Sequence, residues 1–241
     1  MRAAAFFDMD RTLLDVSSGR LYMQSLVQEG RVSLLGQAQM IGWALLYFTG
    51  RLDLNRMSLS FLRRYHLGEP VDLLWVRTLE WFQQSVKAHI VPLGVERVAL
   101  HREAGQPVVL ITASTELAAR AVGEFLSMDY LGTRLDVEDG RITGRIRPPF
   151  CYGEGKVYWA ERYAEEHDID LRASWFYTDS ISDLPLLERV GYPVAVNPDR
   201  KLRSLARRRG WPIEYWYGRK KGTREGPSAL ARISAQLVSN S

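Results

Sequence analysis

Cysteine is nearly missing: Cys151 stands alone among 241 residues. That excludes an intramolecular disulfide framework and a multi-cysteine zinc site, and it points to a reducing, cytoplasmic compartment. A secretory leader is not expected, because MRAAAFFDMD carries one Arg and a short apolar run soon broken by two acids. Long hydrophobic runs are scarce as well. Between Arg31 and Arg51 lie 19 uncharged residues, but Ser33, Gln37, Gln39, Thr49 and two interior glycines dilute them, and the strictly apolar part is Met40–Phe48. A buried or partner-facing helix over 32–50 is expected there, since a membrane span wants about 20 predominantly apolar residues. Proline is absent from residues 15–89 except for Pro70.

What is present is ordinary for a globular chain: 46% hydrophobic and 25% charged residues. The net charge of +4 is unevenly placed, with ten Lys or Arg against the single acid Glu214 in residues 200–224, so the rest of the chain is mildly acidic. A nucleic-acid binder would line a docking face with positive charge. No nucleic-acid partner is expected, and the basic stretch reads as a solvated helix face followed by a loose tail.

Four short apolar runs end in polar residues: AAAFF before Asp8, QPVVLI before Thr112, SWFY before Thr178 and Asp179, and PVAV before Asn197. Continuous apolar runs of this length read as strands buried on both faces, the mark of a parallel sheet. Helical patterns over 93–104, 115–126, 154–167 and 183–190 separate them. The alternation predicts an α/β fold, a Rossmann-like doubly wound parallel sheet. Residues 15–89 break the alternation with helical spacing alone and read as a helical cap inserted into a core of 1–14 and 90–241. Residues 133–147 read as a β-hairpin, with Leu135/Val137 and Ile142/Ile146 flanking the Asp139-Gly140 turn.

Ligands in doubly wound sheets sit at the carboxyl ends of the strands, where Asp8, Thr112 and Asp179 are delivered. Asp8 and Asp10 at i and i+2 project to the same side of extended chain, and paired carboxylates at an open edge call for a cation or a shared proton. Mg²⁺ suits one or two carboxylates, retained waters and phosphate oxygens. Asp179 and Asp183 would bring two more carboxylates to the same edge. Thr112 offers a hydroxyl beside the N–H groups of a following helix, and Lys156, after a Gly-rich turn, offers a point cation for a phosphate oxygen.

The order DxDxT, then ITAST after a hydrophobic strand, then the Lys of PPFCYGEGK, then DSISD resembles the haloacid-dehalogenase (HAD) superfamily, in its phosphoserine-phosphatase-like branch. The resemblance covers residues 5–12 and 107–199 closely, and the insert matches in position and helical character. It implies a Mg²⁺-dependent phosphatase. Asp8 would be the nucleophile that becomes an aspartyl-phosphate, and Asp10 the acid and then the base. Thr112, Ser114 and Lys156 would hold phosphate. Mg²⁺ would lie among Asp8, the Asp10 carbonyl and Asp179, with Asp183 ordering its water or pairing with Lys156. Thr12 would cap and fix the loop after the strand.

Thr178 and Ser182 stand where the family often has Gly and Asn. Ser17 stands where relatives that hydrolyse phosphoserine usually carry a Glu for the substrate ammonium. Ser17, Arg63 and Arg64 are candidates for selecting the substrate, which is expected to be a small phosphorylated metabolite, such as the amino-acid-related ester histidinol phosphate used by some relatives. Two other readings stay open: a membrane-surface phosphatase acting on a phospholipid headgroup, and a catalytically silent binding module on the same fold. His66, His89, His101 and His167 share no metal-ligand spacing. Cys151 reads as a small buried hydrophobe, and Trp43, Tyr47, Phe48, Trp75, Trp81 and Phe82 read as core.

Overall fold

The computed structural model describes residues 1–33, 36, 54–218 and 223–225. In chain order the elements are β1 (Ala5–Phe7), α1 (Ser18–Gln28), α2 (Leu54–His66), α3 (Val71–Trp81), α4 (Pro92–Glu103), β2 (Val108–Thr115), α5 (Glu116–Leu126), β3 (Asp129–Thr133), β4 (Leu135–Glu138), β5 (Arg141–Ile146), α6 (Glu154–Glu166), β6 (Trp175–Thr178), the short α7 (Leu184–Leu187), β7 (Tyr192–Val196), α8 (Arg200–Arg209), β8 (Ile213–Tyr215) and β9 (Thr223–Glu225).

Among the described residues the main sheet runs β3-β2-β1-β6-β7-β8-β9, parallel throughout except for the β8–β9 pair. The fold is therefore the expected α/β doubly wound sheet. β1 lies inside it, third in that order, with Phe7 paired to Leu110 on one side and Tyr177 on the other. The chain builds outward from β1 first one way and then the other, so its carboxyl edge is the topological switch point where ligands bind. Strand alternation sorts the core into two layers. Ala5, Phe7, Leu110, Trp175 and Tyr177 pack under α4 and α5, while Phe6, Val109, Ile111 and Phe176 pack under α6 and α8.

The hairpin pairs Leu135 with Ile146 and Val137 with Ile142. Asp139 and Gly140 both take positive φ, 48° and 72°, as a two-residue turn matched to strand twist requires. Residues 15–89 leave and return side by side: Leu14 bridges Ile90 in antiparallel fashion, and the Asp15 N–H donates to the His89 carbonyl at 3.0 Å. The segment then binds the hairpin through its backbone. Gly68 and Val71 donate to Ile142 and Gly140 at 2.8 and 2.9 Å, above a small apolar cluster of Leu62, Leu74, Leu117, Leu135 and Ile142.

Four expectations need correction. β2 runs on through Thr115. β3, an edge strand of half-exposed composition, and the short β8 were both absent from the alternation. The 183–190 pattern yields only a 3₁₀ turn at Ile181–Asp183 and the four residues of α7, because the chain turns at Arg189–Val190, both N–H groups meeting the Leu186 carbonyl, to bring Gly191 against Leu171 and Arg172. The basic stretch is no loose tail over 211–217: Pro212 to Trp216 are buried, since their aromatic and apolar side chains close the sheet's flank, and only the α8 face is a solvated basic surface. No described helix is long and apolar enough to cross a membrane. The span 37–50, with Trp43, Tyr47 and Phe48, and residues 219–222 lie outside the described residues. Trp81 and Phe82 are core, and Trp75 is partly buried against it.

Candidate active site

β1 carries its ladder one residue further, the Asp8 N–H donating to the Tyr177 carbonyl at 2.9 Å. This fixes the Asp8 side chain at the sheet edge. Opposite it, Lys156 enters from the first turn of α6. Gly155 allows this approach, since a Cβ there would meet the Phe150 carbonyl oxygen at 1.8 Å. The Lys156 ammonium donates to Asp8 Oδ1 at 2.7 Å and to Asp183 Oδ2 at 2.8 Å, with all three side chains at least nine-tenths buried. Thr178 also donates to Asp183 Oδ2, at 2.6 Å. The structure thus makes Asp183 the partner of Lys156, one of the two roles the family resemblance implied.

Asp10 is half-buried, and its Oδ1 accepts the Ser18 N–H at 2.9 Å, where α1 begins. The Ser18 hydroxyl in turn lies 2.9 Å from that of Ser114. Thr112 and Ser114 come forward because β2 bulges. Ile111 and Thr115 pair with Leu131 and Thr133, so three residues of β2 oppose Gly132 alone. Bulges re-aim side chains in this way. Thr133 Oγ1 donates to the Ala113 carbonyl at 2.8 Å inside the bulge, and the Ser114 N–H donates to Thr112 Oγ1 at 3.2 Å.

Two carboxylates, Asp8 and Asp183, contact the one ammonium, and the charges of Asp10 and Asp179 act on the same group from nearby. Burial pushes Asp8 up to about 7; Lys156 opposes that shift, and the Asp183 and Asp10 charges add to it. Burial likewise lifts Asp179 to about 8, helped by the neighbouring Asp8 charge. Asp10 is raised by burial against the opposing Ser18 N–H. Burial alone would lower Lys156, but Asp183 and Asp8 outweigh it and keep the ammonium charged.

Carboxylates that raise each other's pKa are an unbalanced donor set, and a divalent cation relieves it. Among the described residues no three His, Cys, Asp or Glu side chains converge as a ready metal cage. Lys156 and Thr178 both lie on Oδ2 of Asp183 and Lys156 also on Oδ1 of Asp8, so each of these carboxylates offers its other oxygen beside Asp179 and the backbone. Hard oxygens in that small number fit Mg²⁺, which keeps most of its waters, better than zinc or calcium.

Other candidates fall elsewhere. Arg63 donates from Nε to the Gly144 carbonyl at 3.2 Å, which seats it on the hairpin, and Arg64 is exposed, its guanidinium over Tyr65. Ser17 is half-buried just before α1. Thr12 is fully buried, yet its hydroxyl has no hydrogen-bond partner among the described residues, so it packs and does not cap. Cys151 is buried beside Lys156, its thiol pushed up to about 12 by burial. His66 and His101 are buried and hydrogen-bonded, and His89 faces Asp15.

Asp199 was not anticipated. Its carboxylate accepts the N–H groups of Ile181 and Leu202, both at 2.8 Å, and its own N–H donates to the Asp179 carbonyl at 2.8 Å. It ties the 179–183 loop to α8. Its place in Asn-Pro-Asp, just ahead of a helical run, was a readable cap signal.

Residues 5–188 match the haloacid dehalogenase-like hydrolase family. The chain belongs to that family. It is 34% identical over 248 residues to the phosphoserine phosphatase SerB1 of Mycobacterium tuberculosis, covering 96% of this chain and 77% of that protein. It is 31% identical over 222 residues to the histidinol-phosphatase of Neisseria meningitidis, covering 88% and 98%. Among solved structures, a protein of unknown function from Bordetella pertussis superposes with a TM-score of 0.79 at 29% identity, covering 88% of this chain and 98% of that one.

Proposed function

We propose that this hydrolase is a Mg²⁺-dependent phosphomonoesterase working through an aspartyl-phosphate on Asp8. The observation that carries the reading is the Lys156 ammonium held between Asp8 and Asp183 at the edge of the central strand. Asp8 attacks phosphorus, Asp10 gives its proton to the departing alcohol, and Asp10 then takes a proton from the water that releases phosphate. Burial suits Asp10 to the first step because it favours the protonated acid. Lys156, Thr112 and Ser114 face the equatorial oxygens, where charge accumulates. Asp8, Asp179 and the Asp10 carbonyl would hold Mg²⁺. When bound, the ion neutralises phosphate charge and keeps both carboxylates ionised.

The substrate class proposed is a small phosphorylated amino alcohol or amino acid, the chemistry named for the histidinol-phosphatase and phosphoserine phosphatase relatives. The helical segment 15–89 serves in this reading as a cap, since its first helix reaches Asp10 and Ser114 through Ser18. The test is a screen of phosphorylated metabolites with and without Mg²⁺, run beside Asp8→Asn. Mg²⁺-dependent phosphate release that vanishes in the variant is expected. Release that survives in Asp8→Asn contradicts the reading.

A further inference from the structure

The family match ends at residue 188, but the chain beyond it comes back to the loop that carries Asp10. Asn197, just past β7, makes the turn possible. It takes a left-handed φ of 42°, a conformation that Asn tolerates better than most residues. Its N–H donates to the Glu214 carbonyl at 2.8 Å, its Oδ1 accepts the Trp216 N–H at 2.7 Å, and its Nδ2 donates to the Tyr217 carbonyl at 3.0 Å. Trp216 is buried, with its indole N–H on Glu214 at 2.8 Å and its ring 5.7 Å from that of Tyr177. The direction of the chain after β8 is therefore set, and it delivers Tyr217 to the Arg11 carbonyl, to which the phenol donates at 2.8 Å.

Arg11 directly follows Asp10 and sits at φ 57°, ψ 11°. A residue with a Cβ holds that conformation only where its surroundings impose it. The Arg11 N–H is held by the Val16 carbonyl at 3.2 Å, and its C=O by Tyr217. Burial, with the Asp179 charge nearby, keeps the Tyr217 phenol protonated and therefore a donor.

We infer that Tyr217, aimed by Asn197, is a positioning residue for Asp10: it fastens the Arg11 peptide so that the Asp10 carboxylate keeps its aim at the leaving group. The inference rests on Asp10 being the acid. It adds a catalytic contribution from the C-terminal segment, outside the family match. A purely structural tail would stabilise the protein without distinguishing one substrate from another.

Tyr217→Phe in the full chain removes the hydroxyl and keeps the ring. For an alkyl phosphate, whose alkoxide needs a proton, kcat/KM is expected to fall about fivefold, the scale of one neutral hydrogen bond. For p-nitrophenyl phosphate, which needs little acid help, the loss is expected to stay under about twofold. In an Asp10→Asn background Tyr217→Phe should cost nothing further, as expected of groups acting through one another. Equal losses on the two esters, or the same loss in the Asp10→Asn background, would overturn the inference. Amide exchange across residues 9–14 reads the fastening without turnover, and faster exchange is expected in Tyr217→Phe. Unchanged exchange overturns the fastening even if the protein proves inactive on every ester, an outcome that would count against the phosphatase reading by itself.

Discussion

Two polar clusters in this protein differ in charge balance and in access to water, and the difference separates structure from chemistry. In the helical segment, Glu69 gathers His66 at 2.6 Å, Arg77 in close contact and Arg31 at 3.8 Å, with the Tyr22 hydroxyl on the far side of His66. Arg31 also meets Glu29. The two guanidiniums answer two carboxylates, and both reach solvent, with side-chain exposures of 27% and 42%. At the sheet edge Asp8 and Asp183 hold the buried Lys156, with Asp179 buried and Asp10 half-buried nearby, so four carboxylates share one lysine. A balanced cluster holds helices together. An unbalanced one is completed by what it binds, a cation and a phosphoryl group.

The comparison breaks hardest at Asp8. Asp8→Asn keeps the shape and removes the nucleophile, and kcat should fall by about four powers of ten or more, measured by phosphate release. Asp10→Asn should follow, with a loss of roughly 10²- to 10⁴-fold on alkyl phosphates and less on p-nitrophenyl phosphate. Equal losses on both esters would remove Asp10 from the acid role.

Stability should respond elsewhere. His101 is fully buried, its Nδ1 donating to Gln106 and its Nε2 accepting from Tyr177 at 2.8 Å. Burial lowers it from 6.5 to about 4. The unfolded chain therefore binds a proton that the folded one refuses. This contribution is fully present above pH 6.5 and is lost as pH falls towards 4, by up to about 3 kcal/mol. Chemical denaturation of wild type and His101→Gln across that window checks it, since the variant should lose less. Glu69→Gln in the balanced cluster should cost about 1–2 kcal/mol, discounted because its arginines reach water, and leave kcat within about twofold. A large kcat loss there would erase the distinction between the clusters.

The last of these effects is a gain, at Ser17. Ser17→Glu should raise kcat/KM for phosphoserine about tenfold relative to an ester without an amine, the value of roughly one desolvated ion contact. An unchanged ratio would mean another acid already meets the ammonium.

Much of the site was legible because its signals are local. Asp8, Lys156 and Asp179 each close a short apolar run or a Gly-rich turn, and the Asp139-Gly140 turn marked the hairpin, though not the register shift between Leu135 and Val137. What escaped depends on distant partners. β3 is half-exposed and looks like loop until β2 pairs with it. The bulge presenting Thr112 and Ser114 exists only against Gly132. Arg63 and Arg64 were joint candidates for selecting the substrate, yet a hairpin some eighty positions on claims Arg63. The family resemblance made Thr12 a cap, but its hydroxyl is buried without a hydrogen-bond partner among the described residues.

The central claim is that the unbalanced cluster carries a covalent phosphoryl group on Asp8. Acid quenching of the enzyme during turnover of a radiolabelled phosphomonoester with Mg²⁺, followed by peptide mapping, tests it most directly. Label is expected on the peptide containing Asp8 and absent from the same peptide of Asp8→Asn. Sustained turnover by the wild type with no label reaching Asp8 in the pre-steady state or the steady state would contradict the account.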